Sequence, residues 1–261
     1  MAAFVQAYND LRVEPDKKID DMRLIIGAAN VIAERWPESE KANEARMVLG
    51  QLYKAGKKPI EAAEWFKKVP EGDPKYPEAQ LAAGQAFWGA YGAATRLPKD
   101  TRPNTETLSE WKTAAETHLR TGIAKLSSVL PEEDDVPQDL VVAKISLAEI
   151  LLSQGKDKEA SRVLLDDPQS VVKAVSVDDE SKRPDQGVRR RPIAKLTFIL
   201  LLRSYIGMGL DRLGDARATM RTLESIVAGD SGSDLTDLYV ELGRMLKAEL
   251  ERFKLRMQSF F

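Results

Sequence analysis

The chain has 261 residues, 43% hydrophobic and 31% charged; it holds enough apolar content for a core and, with 16 Gly and 13 Pro, is neither low-complexity nor fibrous. Lys and Arg number 39 against 41 Asp and Glu, a net charge of −2, so no global basic field draws in nucleic acid or an anionic membrane. The absence of Cys and the single His118 exclude disulfides, thiolate metal sites, cysteine nucleophiles and any centre that needs two imidazoles.

Apolar periodicity is helical along the chain and no stretch alternates strictly, which predicts an all-α protein of about ten helices. Residues 1–37 read as a partial helix pair: residues 2–12, then Ile19 to Trp36, stopped by Pro37. Met1-Ala2-Ala3-Phe4 lacks the basic and apolar pattern of a signal peptide, and the compartment stays open between the cytoplasm and, were a leader removed, the cell envelope. Residues 38–74 form the next pair, broken at Ala55-Gly56-Lys57. In residues 75–131 the inner turn expands to Arg96 through Thr105, and a long second helix carries the stripe Leu108, Trp111, Ala115, Gly122, Leu126 and Val129. A pair over 135–167 turns at Gln154-Gly155. Residues 168–192 read as a mobile loop, with Asp178-Asp179-Glu180 and Arg189-Arg190-Arg191 around Pro184 and Gly187; only Val171 to Val177 has the pattern to dock. Residues 193–229 give a degenerate pair whose opening stretch, Ile193 to Leu210, carries Lys195, Arg203 and two glycines and so predicts a buried helix rather than a membrane span. Residues 232–261 form a last helix with Leu235, Leu238, Leu242, Met245, Leu246, Leu250, Phe253 and Met257. That apolar surplus predicts either continuation into a longer array or a homodimer.

The spacing within residues 38–74 is more specific than texture. Arg46-x-x-Leu49-Gly50-x-x-Tyr53 precedes Ala62-x-x-x-Phe66 and Pro74, and Gly84 lies 34 residues after Gly50. The 12-residue step from Gly50 to Ala62 recurs from Ala148 to Ala160. These residues resemble the tetratricopeptide repeat (TPR), with Arg46 where the family has Trp. The resemblance implies a right-handed α-solenoid of antiparallel helix hairpins, a TPR-like superhelix, over nearly the whole chain. It implies further that the first helices form a concave wall that binds a peptide or partner helix. The wall positions are Met47, Gln51 and Lys54; Leu81, Gln85 and Trp88; and Ile145, Glu149 and Leu152.

Other motifs carry less. Gly229-Asp230-Ser231-Gly232 looks like a protease nucleophile loop, but an all-α chain with its one His in another hairpin offers Ser231 no base, and helix capping is the expectation. Gly207-Met208-Gly209 lacks the preceding strand of a dinucleotide loop, and Glu132 to Asp135 lacks the ligand spacing of a calcium loop. His118, beside Ala115 and Gly122, is expected to pack half-buried. The expectation is a non-catalytic scaffold with no metal ligand and no cofactor, binding another protein or peptide without nucleic acid or membrane insertion. Glu34 to Tyr53 looks most like bacterial TPR scaffolds. The alternative is an oligomerisation or spacer segment with no groove ligand.

Overall fold

The computed structural model describes residues 18–131, 136–165, 169–176, 190–227 and several positions between 236 and 254. The expected helix over 2–12, the acidic run from Glu132 and the Gly229 to Gly232 segment lie outside the described residues. All regular structure described is helical, and the chain divides into two compact units, Met1–Ser128 and Val129–Phe261.

In the first unit α1 (Lys18–Arg35), α2 (Glu40–Ala55), α3 (Pro59–Phe66), α4 (Tyr76–Thr95) and α5 (Thr105–Val129) follow one another. Each helix packs on the next from α1 to α4, the pattern of stacked antiparallel hairpins. The boundaries have local causes. Ser39 caps α2, its Oγ accepting from the Ala42 N–H at 3.1 Å, and the Gly56 N–H closes the helix onto the Leu52 carbonyl at 2.9 Å. Pro59 opens α3 in the first turn, where its missing N–H costs nothing. Inside the hairpins, close approach needs glycine. A Cβ on Gly50 would fall inside the van der Waals radius of the fully buried Phe66 ring. The α4–α5 hairpin is reciprocal: Gly84 takes Leu119, whose Cγ lies 2.6 Å from where a Cβ would stand, and Gly122 takes Leu81 at the same 2.6 Å from its Cδ2.

Arg46, the departure from the family pattern, has a structural use. Its Nη2 donates to the Pro37 carbonyl at 2.8 Å, and its Nη1 donates to the Asn43 Oδ1. The Asn43 Nδ2 in turn donates to Asp73 Oδ2 at 2.7 Å. The start of α2 is thereby tied to the turns on both sides of its hairpin. On α5, Ala115, Leu119 and Gly122 are buried and Leu108, Trp111 and Leu126 half-buried, as the stripe requires; Val129, at 69% exposure, is not part of the packed face.

The second unit holds α6 (Gln138–Ser153), α7 (Asp157–Leu165), α8 (Val171–Val175), α9 (Arg190–Gly207), a 3-10 turn at Leu210–Arg212 and α10 (Leu213–Val227). α6 pairs with α7, α9 packs on α7, and α10 pairs with α9. Leu140, Ile150, Leu151, Leu164, Val171, Leu200 and Leu223 are its fully buried large side chains among the described residues. Within 168–192, read from sequence as a mobile loop in which Val171 to Val177 has the pattern to dock, the described residues 169–176 are packed. Gln169, Ser170 and Val171 are buried, Ser170 caps α8 by accepting from the Lys173 N–H at 3.2 Å, and the buried Lys144 of α6 donates to the Gln169 carbonyl at 2.7 Å. A buried ammonium needs such an acceptor, so the charged side chain fixes the strap rather than avoiding it. Residues 177–189 lie outside the described residues. Among the described residues, no helix is long and apolar enough to cross a membrane, Ile193 to Gly207 included.

Candidate protein-binding face

The first helices of the hairpins place the nine expected wall residues unequally. On α2, Gln51 and Lys54 are exposed and Met47 is half-buried. On α4, Gln85 and Trp88 are half-buried, whereas Leu81 is 1% exposed and fills the space over Gly122. On α6, Glu149 and Leu152 are half-buried, whereas Ile145 is 4% exposed. Leu81 and Ile145 are therefore corrected from wall to core. Leu81 stands three residues before Gly84, and residues three apart share a helix face, so the position that touches α5 through Gly84 touches it through Leu81 as well.

The most distinctive surface is on the C-terminal half of α4. From Ala79 to Thr95 the helix carries no charged residue. Trp88 and Tyr91 stack with ring centroids 5.0 Å apart and planes 11° from parallel, and the Lys112 ammonium of α5 lies 5.9 Å from the Tyr91 ring centre. Positions where Gly89 and Gly92 would carry a Cβ meet no atom within 4 Å, so the backbone around the stack is open to approach. The end of the helix is held in place: Arg102 Nη2 donates to the Leu97 carbonyl at 2.8 Å and to the Thr95 carbonyl, and Asn104 caps α5 by accepting from the Thr107 N–H at 2.8 Å. An aromatic pair with the Gln85 amide on the same helix and the Lys112 ammonium beside it can bury an apolar side chain and hydrogen-bond a peptide backbone. Tyr91 was absent from the nine expected positions; its i, i+3 spacing from Trp88 is the signal that would have found it.

His118 lies elsewhere, on the α4–α5 seam. Its Nδ1 is 2.6 Å from the Gln80 Oε1, and its ring stacks on Phe87 at 5.8 Å. Burial and, second, the nearby Lys67 ammonium push its pKa below the usual imidazole value, with Glu64 opposing. It is a half-buried packing residue, as expected. Among the described residues, no three His, Asp or Glu side chains converge to hold a metal ion.

No family model matches the chain, and no curated protein matches it. A solved structure of a Podospora anserina protein, described as a kinesin light chain with nearly identical TPR-like repeats, superposes over 87% of this chain and 94% of its own, with a TM-score of 0.54 and 15% identity. The fold is TPR-like. It is the all-α, α-solenoid class of antiparallel hairpins that the Gly50 and Gly84 register implies. At 15% identity the likeness carries the TPR-like fold alone, and it lends nothing to the bacterial character expected from Glu34 to Tyr53.

Proposed function

We propose that this chain is a non-catalytic scaffold that binds a peptide or helix of another protein along the first helices of its hairpins. The observation that carries the reading is the Trp88–Tyr91 stack on an uncharged half-helix, half-exposed and open at Gly89 and Gly92. A soluble helix normally turns charged residues outward, and an uncharged aromatic face is the composition of a binding hot spot. TPR-like folds are generally associated with protein–protein interaction, which agrees with this reading.

The test is affinity capture from the source organism with mass spectrometry, comparing the native chain with Trp88→Ala and Tyr91→Ala. Selective loss of one captured protein in both variants, with unchanged helical circular dichroism and melting, supports the proposal. Identical capture by all three chains refutes it and leaves the spacer reading.

A further inference from the structure

We infer that residues 169–176 are the chain's own occupant of a peptide-docking groove formed by α6, α7 and α9. The partner that displaces them is a protein segment of the same chemistry, a small hydroxyl residue followed by a β-branched apolar one. This rests on the second unit alone and stands or falls separately from the binding face on α4.

The connection that carries the strap is out of scale with the others. Four residues join Arg35 to Glu40 and nine join Phe66 to Tyr76, whereas 24 separate Leu165 from Arg190. Connections that long are uncommon in a compact unit, and binding loops are prominent among them. The strap is seated in the manner of a bound peptide. Its one-turn helix α8 lies against α6, α7 and α9 at once. Val171 is the apolar anchor and is wholly buried, while Lys173 and Ser176 stay exposed. The Ser170 hydroxyl donates to the Leu164 carbonyl of α7 at 3.3 Å, and the Gln169 carbonyl accepts from the Lys144 ammonium of α6 at 2.7 Å. A buried side chain, a hydroxyl and a main-chain carbonyl are contacts that a short segment can bring in trans.

Lys144 lets the groove stand open. An ammonium in an apolar site needs an acceptor; with the strap seated the Gln169 carbonyl serves, and with the strap withdrawn water does, so neither state strands a charge. A leucine or methionine, the ordinary choice for a buried helix position, would instead present apolar surface to water whenever the strap left. The few anchors must also offset the conformational entropy of ordering eight residues, and segments so balanced open before the helices beneath them. Because the strap is tethered, its effective concentration at the groove is on the order of millimolar. A free segment of equal affinity therefore competes poorly until the strap is weakened, which makes the strap autoinhibitory.

The probe is a fluorescein-labelled synthetic peptide of residues 169–176, followed by anisotropy as the full chain is titrated in. In the chain variant Val171→Asp the strap brings a carboxylate to an apolar seat and cannot dock, which frees the groove. That variant should bind the peptide about tenfold or more tighter than the native chain does. The peptide carrying the same Val171→Asp change should not bind. Adding Lys144→Met to the Val171→Asp chain should weaken capture of the unaltered peptide by about tenfold, since its carbonyl loses a donor. Equal binding by the native and Val171→Asp chains, or none by a Val171→Asp chain that keeps the native circular dichroism, overturns the inference. Should Val171→Asp unfold the second unit, amide exchange in the native chain decides. The N–H groups of Lys173, Ala174 and Ser176 bond within the strap; their exchange about a hundredfold or more faster than that of the α6 core supports a displaceable strap, and exchange in step with α6 overturns it.

Discussion

Two glycines five residues apart on α4 should respond to the same substitution with opposite signs. In Gly89→Ala the new methyl meets nothing within 4 Å, so the variant keeps only the gain in helix propensity, about 0.5–1 kcal/mol. In Gly84→Ala the methyl would stand 2.6 Å from Leu119 Cγ, 2.9 Å from the Leu119 backbone nitrogen and 3.1 Å from the Ala115 carbonyl oxygen. A side chain can rotate away, but a backbone nitrogen can retreat only by moving α5, and overpacking of that kind costs about 1–3 kcal/mol. Both variants share the propensity gain, so it cancels in their difference, and Gly84→Ala should be less stable than Gly89→Ala by about 1–3 kcal/mol. At about 2–4 °C per kcal/mol the two melting temperatures separate clearly in a thermal scan followed by circular dichroism. Chemical denaturation supplies the free energies with the same protein. Should Gly84→Ala melt with or above Gly89→Ala, the α4–α5 packing described above is wrong.

Three further outcomes are expected. Leu81→Glu should abolish the cooperative transition of the first unit, since it places a carboxylate in a dry site over Gly122, whereas Gln51→Glu on the exposed face of α2 should melt within about 0.5 kcal/mol of the native chain. Lys144→Met removes the donor to the Gln169 carbonyl and should raise amide exchange across 169–176 more than across α6 or α7; equal protection of the strap in both chains would show that the ammonium does not hold it. The imidazole of His118 has a folded pKa below its unfolded one, so its contribution to stability is fully present above the unfolded value of about 6.5 and is lost as pH falls toward the folded value. Denaturation midpoints at pH 7.5 and 5.5 should therefore differ more for the native chain than for His118→Leu, and an equal difference would remove His118 from the account.

Helix positions were legible because Pro37, Gly56, Pro59 and the Gly50 and Gly84 spacing act locally, through backbone geometry that a single sequence displays. The split between wall and core was less so. The buried stripe of a first helix is wider than the Leu-Gly positions alone: Leu81 lies on the same α5-facing side as Gly84, and Ile145 is buried as well. The docked strap was half visible in the Ser170 cap before Val171 and Val172. Its anchor was not, because a lysine inside an apolar helix reads as a solvent-facing residue until the carbonyl that accepts from it is located. The same holds for Arg46, which reaches the Pro37 carbonyl in the preceding turn and Asn43 on its own helix, Asn43 in turn reaching Asp73 in the turn that follows the hairpin.

The reciprocal seating of Leu119 on Gly84 and Leu81 on Gly122 bears on how such a sequence can change over time. What the seam conserves is the missing side chain at each crossing, because a Cβ at 84 or at 122 would stand 2.9 Å from the Leu119 backbone nitrogen or 2.8 Å from that of Leu81, as well as against the leucine side chain. Shrinking position 119 or 81 relieves the side-chain clash and leaves the backbone one, so no single compensating change opens the crossing. Divergent descendants of this chain should therefore keep Gly84 and Gly122 while 119 and 81 vary among apolar residues, and Gly89 and Gly92 should drift freely unless a ligand holds them.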